Sequence, residues 1–243
     1  MQRFGLIGKT LSHSFSPAFF EDYFLKNNID ASYELFELPE ISDIESVFKQ
    51  EISGLNVTIP YKEAVIPYLD ELDEVAKTIG AVNVIAIKNG KKIGFNTDAF
   101  GFQQSIKPFL TFKHERALIL GTGGASKAVE YVFKSIGIDV LYISRNPEGK
   151  AKHFSYEDLN EHMLNACKVI VNCTPIGTFP AIDEQPNFPY EFLSSDHLVI
   201  DLIYNPAKTK FLQQAEARGA MILNGSSMLR EQALKSWEIW NEI

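Results

Sequence analysis

A run of glycines, Gly121-Thr122-Gly123-Gly124-Ala125-Ser126, stands directly between a compact apolar segment, Ala117-Leu118-Ile119-Leu120, and a helical stretch from Lys127 to Ser135. Strand, glycine turn and helix in immediate succession restrict the fold more than any other feature of the chain. The glycines let the backbone turn sharply and approach a pyrophosphate, and the helix N-terminus behind them offers N–H groups and a partial positive charge. Ser126 occupies the third glycine position of the usual fingerprint. The flanking strand and helix therefore carry the assignment, not the glycines alone. Further apolar segments follow at Asp139 to Ile143, Val169 to Val171, Leu198 to Ile200 and Ala220 to Leu223, with helical stretches between most of them. That alternation predicts an α/β unit, a Rossmann-like doubly wound parallel sheet with helices on both faces.

The end of the second strand of this unit selects the dinucleotide. Strands at this place that serve NAD end in Asp or Glu, which bonds the ribose 2′-hydroxyl. Here the strand runs out into Ile143-Ser144-Arg145-Asn146, with no acid. Arg145 suits a 2′-phosphate that a carboxylate would repel, and Ser144 and Asn146 add hydrogen bonds. The expected cofactor is NADP(H), and a solvated surface arginine is the plainer alternative for Arg145 alone.

The first hundred residues read differently. Phe4 to Gly8, Ser32 to Leu38 and Leu55 to Ile59 have strand character, and Pro60 starts a helix after the third. Ser16-Pro17 reads as an N-cap followed by proline at the first helical position, opening a helix to about Lys26. Val82 to Ile87 and Lys91 to Phe95 flank Asn89-Gly90, a hairpin with a type I′ turn. A helix from Ala99 to about Lys107 is expected to stop at Pro108, and the polar stretch Thr111 to Arg116 marks a boundary. At the other end, Leu229, Ala233, Trp237 and Trp240 recur at helical spacing from Ser226 onward.

With 243 residues, 45% of them hydrophobic, the chain has enough material for one large domain or two small ones. Its formal charge of −8 and the lack of any Lys/Arg run argue against nucleic acid or an anionic membrane as partner. No 18-residue apolar stretch and no apolar leader segment is present, and two cysteines, Cys167 and Cys173, fit a reducing cytoplasm. Cys173 reads as a small buried thiol. No His lies at metal-ligand spacing from a Cys or another His, so no metal site is expected.

Two polar residues stand just past strand ends: Lys62 after Asn56-Val57-Thr58-Ile59-Pro60-Tyr61, and Asp98 after Gly94-Phe95-Asn96-Thr97. A Lys and an Asp delivered to one pocket form a proton-handling pair. Each also has a plainer explanation: Lys62 as an exposed lysine in a helix's first turn, where the dipole disfavours a cation, and Asp98 as an N-cap. Ser14 and Ser16, two residues apart, project to one face if the segment is extended and suit a small carboxylate. Asn83 sits inside an apolar strand, where an unbonded amide is costly.

These stretches together resemble the shikimate dehydrogenase family. The matching segments are Ser12-His13-Ser14-Phe15-Ser16-Pro17, Asn56 to Lys62, Gly80-Ala81-Val82-Asn83, and Gly94 to Asp98 with Gly101. They continue in Gly121 to Ala125, Asn172-Cys173-Thr174-Pro175-Ile176-Gly177, Asp201-Leu202-Ile203-Tyr204, and Gly225 through Met228 to Gln232. They keep the family's order and span nearly the whole chain. The resemblance implies reduction of 3-dehydroshikimate with NADPH, with Lys62 and Asp98 as the catalytic pair. It implies Ser14, Ser16, Thr58, Asn83, Tyr204 and Gln232 at the substrate, and Leu202 and Gly225 beside the nicotinamide. It also implies two α/β domains around a cleft: a substrate domain of residues 1–100 plus 227–243 and a cofactor domain of 101–226. Val84 stands where Thr often follows Gly-Ala-Val-Asn, and Ser144 where Asn usually precedes the cofactor arginine. The family has an additional cation a few residues past that arginine; here Pro147-Glu148-Gly149 intervenes before Lys150.

Carbonyl reduction needs a hydride at carbon and a proton at oxygen, and the nicotinamide supplies the first. A lysine that gives up a proton near neutral pH is opposed by a carboxylate beside it, so the pair is expected to titrate together. Two other functions are to be weighed. A relative that oxidises quinate as well as shikimate, often with NAD, differs in pocket details that sequence does not display. A cofactor-binding sensor without catalysis is expected to lack Lys62 or Asp98, and both are present. The sequence is compatible with a monomer or a homodimer.

Overall fold

The computed structural model describes residues 1–12, 14–147, 149 and 151–242. The chain divides into two compact units, residues 1–100 with 232–243 and residues 101–231.

The first unit contains β1 (Gln2–Gly8), α1 (Phe15–Lys26), β2 (Ala31–Glu37), α2 (Ile44–Phe48), β3 (Gly54–Val57), α3 (Tyr61–Ala64), β4 (Glu71–Leu72), α4 (Glu74–Ile79), β5 (Val84–Lys88), β6 (Lys91–Phe95) and the start of α5 (Asp98–Ile106). Its six strands lie in the order β2-β1-β3-β5-β6-β4. β1 runs parallel to β2 and β3, whereas β5 is antiparallel to β3 and β6, so the sheet is mixed. The β5–β6 turn is of the expected kind: Asn89 and Gly90 both have positive φ, at 52° and 77°. α4 is punctuated at both ends. The Asp73 side chain accepts from the Ala76 and Val75 N–H groups, and Gly80 stops the helix in the left-handed conformation at φ 71°.

One expectation fails at α1. Its N-cap is Ser14, in extended backbone, and Ser16 lies inside the first turn. The two serines therefore do not share an extended segment. Proline at the third helical position is tolerated there because that N–H has no partner inside the helix. Likewise α5 begins at Asp98, and Pro108 sits within a 3-10 turn that extends it, Lys107–Phe109.

The second unit contains β7 (Arg116–Leu120), α6 (Gly124–Ser135), β8 (Asp139–Ile143), β9 (His153–Phe154), α7 (Glu161–Ala166), β10 (Val169–Asn172), β11 (Leu198–Asp201), α8 (Lys210–Ala217), β12 (Met221–Leu223) and the first residues of α9 (Ser226–Glu242). The sheet order is β12-β11-β10-β7-β8-β9, with every pair parallel. Counting β7 as first, that is 3-2-1-4-5-6 when read from the β9 edge, and the strand order reverses between β7 and β10. In such sheets ligands gather beyond the carboxyl ends of the strands at the reversal. β10 and β11 are buried along their whole length and end in Asn172 and Asp201, both fully buried. Apolar strands covered on both faces that end in a buried amide and a buried carboxylate bring polar chemistry to that edge.

The first unit owes much of its core to the C-terminal helix. Phe4, Phe20 and Phe24 pack with Trp237 and Trp240, and the Phe4 and Trp240 rings stack at 4.6 Å. The Trp240 indole N–H donates to the Ile85 carbonyl at 3.1 Å. Gly54 makes this seat: a Cβ there would fall inside the indole. Gly54→Ala is expected to cost about 1–3 kcal/mol through overpacking, read as a lower midpoint in chemical denaturation.

Candidate active site

Lys62 is placed by backbone turns that leave little freedom. Thr58 N–H donates to the Ile7 carbonyl at 2.9 Å and the Thr58 carbonyl accepts from Tyr61 N–H at 2.9 Å, which closes the turn from β3 into α3. The buried Tyr61 hydroxyl donates to the Leu38 carbonyl at 2.6 Å. The Lys62 carbonyl accepts from Val82 N–H at 2.7 Å, tying the helix to the segment that carries Asn83.

Asp98 is not the cap of α5. The Asn96 side chain caps it instead, with Oδ1 accepting from Ala99 N–H at 3.3 Å while the amide donates to the Ala81 carbonyl at 2.9 Å. The Asp98 carboxylate is thereby released to other partners. Its Oδ2 accepts from Lys62 Nζ at 2.6 Å, and the two side chains are only 9% and 18% exposed. Its Oδ1 accepts from Asn83 Nδ2 at 3.0 Å. The ion pair is thus sheltered and oriented, unlike a surface pair, whose contribution solvent largely cancels.

Asn83 organises the rest. Its Oδ1 accepts from Thr97 N–H at 2.7 Å, and its amide reaches Thr97 Oγ1 at 3.0 Å and Gln232 Oε1 at 3.3 Å. Beside it, Asn56 in β3 donates to the Asn83 carbonyl at 3.3 Å and to Ser236 Oγ at 3.1 Å, and accepts from the Tyr33 hydroxyl at 2.7 Å. Burial holds the Tyr33 phenol well above its usual range, with a hydrogen bond from Ser16 working against the rise. Lys62, Asp98, Asn83 and Gln232 are therefore joined in one network, and Ser16 meets it through Tyr33. Ser14 and Thr58 are half-buried and belong to the same unit. His13, between Ser12 and Ser14, lies outside the described residues. Asn56, Thr97, Ser236 and Tyr33 were not singled out by residue type. Asn83, expected inside a strand, stands just before β5, whereas Asn56 is an amide inside the apolar strand β3, and that was the available signal.

The second unit carries a groove of about 740 Å³ whose walls include Gly121, Thr122, Gly123, Ser144, Arg145 and Asn146. The expected dinucleotide residues after β7 and after β8 are thus brought together, and Gly124 and Ala125 open α6 beside them. Gly121 has φ 97°, and its position is closed to a side chain by Thr174, whose methyl a Cβ would meet at 2.9 Å. At Gly123 the space a Cβ would take is open, and no side chain caps α6. Ser144 Oγ is buried without a hydrogen-bond partner among the described residues. An uncapped helix N-terminus, a bare glycine turn, an orphaned hydroxyl and an arginine make a wall that fits a phosphorylated dinucleotide. Further walls come from Tyr156, Glu157, Thr174, Gln185 and Asn187. Cys173 also lines the groove, and burial pushes its thiol up, so it stays protonated. Lys150 lies outside the described residues.

Leu202 and Gly225 meet each other. A Cβ on Gly225 would collide with the Leu202 backbone, and Gly225 N–H donates to the Ile203 carbonyl at 3.1 Å. Tyr204, two residues past Leu202, is half-buried, and burial raises its phenol. Among the described residues no cluster of His, Cys, Asp or Glu is arranged to hold a metal ion, and no helix is long and apolar enough to cross a membrane.

Residues 6–85 match the family model described as the shikimate dehydrogenase substrate binding domain. Over 97% of its length the chain is 39% identical to the shikimate dehydrogenase (NADP(+)) of Clostridium botulinum, covering 95% of that protein. The chain belongs to the shikimate dehydrogenase family. A crystal structure of a shikimate dehydrogenase in complex with NADP+ superposes on all of it with a TM-score of 0.89 and 35% identity, with 91% of that chain covered. A quinate dehydrogenase from Corynebacterium glutamicum in complex with NAD matches the whole chain with a TM-score of 0.88 and 27% identity, with 94% of its own length covered.

Within this family member, Asn83→Ala leaves the buried Thr97 N–H without its acceptor and Asp98 without its neutral donor. The expected loss is about 1–3 kcal/mol, measured by urea unfolding; an unchanged midpoint would show that Asn83 does not organise the network.

Proposed function

We infer that this chain catalyses the reversible NADPH-dependent reduction of 3-dehydroshikimate to shikimate, a step of the shikimate pathway, and propose that Lys62 and Asp98 handle its proton. The observation that carries the second half is the sheltered 2.6 Å contact between Lys62 Nζ and Asp98 Oδ2. When bound, NADPH supplies the hydride for the ring carbon that bears the carbonyl. Lys62 delivers the proton to that carbonyl's oxygen and recovers it in the oxidative direction. Asp98 holds the ammonium in place and accepts a bond from a neighbouring ring hydroxyl. Asn83, by holding Oδ1, keeps Oδ2 turned to the lysine.

Ser14, Ser16, Thr58, Asn83, Gln232 and Tyr204 are the proposed contacts for the substrate's carboxylate and hydroxyls. NADP(H) is held by Gly121 to Ala125, Ser144, Arg145 and Asn146, with Leu202 and Gly225 toward the nicotinamide. We assign residues 1–100 with 227–243 to substrate and 101–226 to cofactor. A monomer or homodimer in the cytoplasm is the setting this reading implies; the free cysteines are in keeping with it.

The likeness to a quinate dehydrogenase with NAD supports a second reading, oxidation of quinate with NAD. Arg145 and the lack of an acid at the end of β8 favour NADP over NAD, and the Ser14/Ser16 pair favours shikimate. Initial rates with shikimate and quinate, each with NADP and NAD, separate the two. Turnover in none of the four combinations would leave a binding protein without catalysis.

Lys62→Ala is expected to lower kcat by about 10²–10⁴-fold with little change in KM; near-full kcat in steady-state assays would remove Lys62 from the chemistry. Arg145→Ala is expected to raise KM for NADPH far more than for NADH, and equal effects on both would sink the 2′-phosphate contact.

A further inference from the structure

One buried carboxylate of the second unit has no part in the proton transfer, yet several loops are tied to it. Asp201 ends β11 and is fully buried. Its Oδ1 accepts from Asn172 Nδ2 at 3.0 Å and from Ile203 N–H at 3.1 Å, and its Oδ2 accepts from the Thr209 hydroxyl at 2.6 Å. Asn172 is the residue beside it in register at the end of β10. The Asn172 side chain in turn accepts from Thr174 N–H at 3.0 Å and from the Thr174 hydroxyl at 2.6 Å. Thr174 is a wall of the groove and the side chain that closes the space at Gly121. On the other side, Leu202 N–H donates to the Asn172 carbonyl at 3.1 Å, and Gly225 packs on Leu202.

The carboxylate is satisfied by neutral donors alone; no cation contributes to its electrostatics among the described residues. That arrangement is costly for stability, since a buried charge without a counter-charge is the expensive case. An ionised carboxylate nevertheless does here what an amide cannot, because all its oxygens accept and none of its atoms competes as a donor.

We propose that Asp201 is a positioning residue for NADP(H): its ionised carboxylate locks the ends of β10 and β11 together and so presents Thr174 and Leu202 to the cofactor. The proposal rests on the cofactor assignment above. It has a pH signature. Burial pushes the Asp201 carboxyl up to about 6, with Thr209, the Ile203 N–H and Asn172 pulling the other way. The titratable groups facing it are Cys173, just after β10, and Tyr190, in the 3-10 turn Tyr190–Phe192. Both are pushed up by burial and by the Asp201 charge, so neither changes charge in that range. Below about pH 6 the carboxyl carries a proton and one of its acceptor positions becomes a donor. One of the three donors then loses its place, and the lock loosens as the pH falls.

The decisive experiment is calorimetric titration of the whole protein with NADP+ and, separately, NAD+ between pH 5 and 8. NAD+ is included because the 2′-phosphate of NADP+ itself takes up a proton near pH 6. Wild-type affinity for both is expected to drop on the acid side, by about tenfold, the effect of losing one hydrogen bond to a charged group. Asp201→Asn should bind more weakly at pH 7.5 and lose this acid limb for NAD+. Thr209→Val, which removes the donor to Oδ2 and alters no charge, should move the limb to higher pH and so serves if the first variant does not fold. Coincident NAD+ profiles for wild type and Thr209→Val, or an acid limb that survives in Asp201→Asn, would overturn the proposal alone. Failure of the wild type to bind either dinucleotide at any pH would overturn the cofactor assignment with it.

Discussion

The Asn83 carboxamide is the constraint on which the first unit's polar interior depends. Its NH₂ group has two hydrogens, yet three acceptors lie within reach: Thr97 Oγ1 and Asp98 Oδ1 at 3.0 Å and Gln232 Oε1 at 3.3 Å. Two full-strength bonds are the limit, and the charged acceptor commands one of them. Thr97 and Gln232 share the other, with Ser236 available to Thr97 at 3.3 Å. The network is therefore fixed where it touches Asp98 and adjustable at its far end. A change in the bonding of Gln232 or Thr97 alters how that second hydrogen is shared without disturbing the ion pair.

The two buried aspartates show opposite solutions to one problem. Asp98 faces a lysine, so the pair remains net neutral in the low-dielectric interior. Asp201 faces an amide, a hydroxyl and a backbone N–H and keeps its charge uncompensated, which is why its carboxyl is pushed up toward neutrality. Holding a lysine side chain in one orientation calls for the first arrangement. Bracing of two strand ends calls only for acceptors, and the second suffices.

The second unit was largely legible in the sequence because its signals are local. Apolar runs of four or five residues, a glycine turn and a helix register need no knowledge of distant residues. The two-residue strands β4 and β9 escaped because they are too short to carry a period, and pairing with β6 and β8 alone defines them. At α1, two serines two residues apart both satisfy cap chemistry, and Pro17 favoured the wrong one. The choice of Ser14 leaves Ser16 in the helix, where it meets Tyr33. In the site, Lys62 and Asp98 stood out as polar residues at strand ends. Their supporting network did not, since Asn56 and Ser236 meet across 180 residues of sequence. Residue type cannot announce a contact of that range.

The seat of Trp240 on Gly54 has a consequence in time. The first unit is made from two pieces of chain, residues 1–100 and 232–243, separated by the whole of the second. On a ribosome adding about 5–20 residues per second, roughly 7–26 s pass between the completion of the first piece and the arrival of the second. Until then Phe4 and Phe20 lack their indole partner, and Asn56 lacks Ser236. The first unit is begun before the second and completed after it, when the second has had time to fold. A nascent chain in that interval exposes the strand glycine and the aromatic surface that α9 later covers.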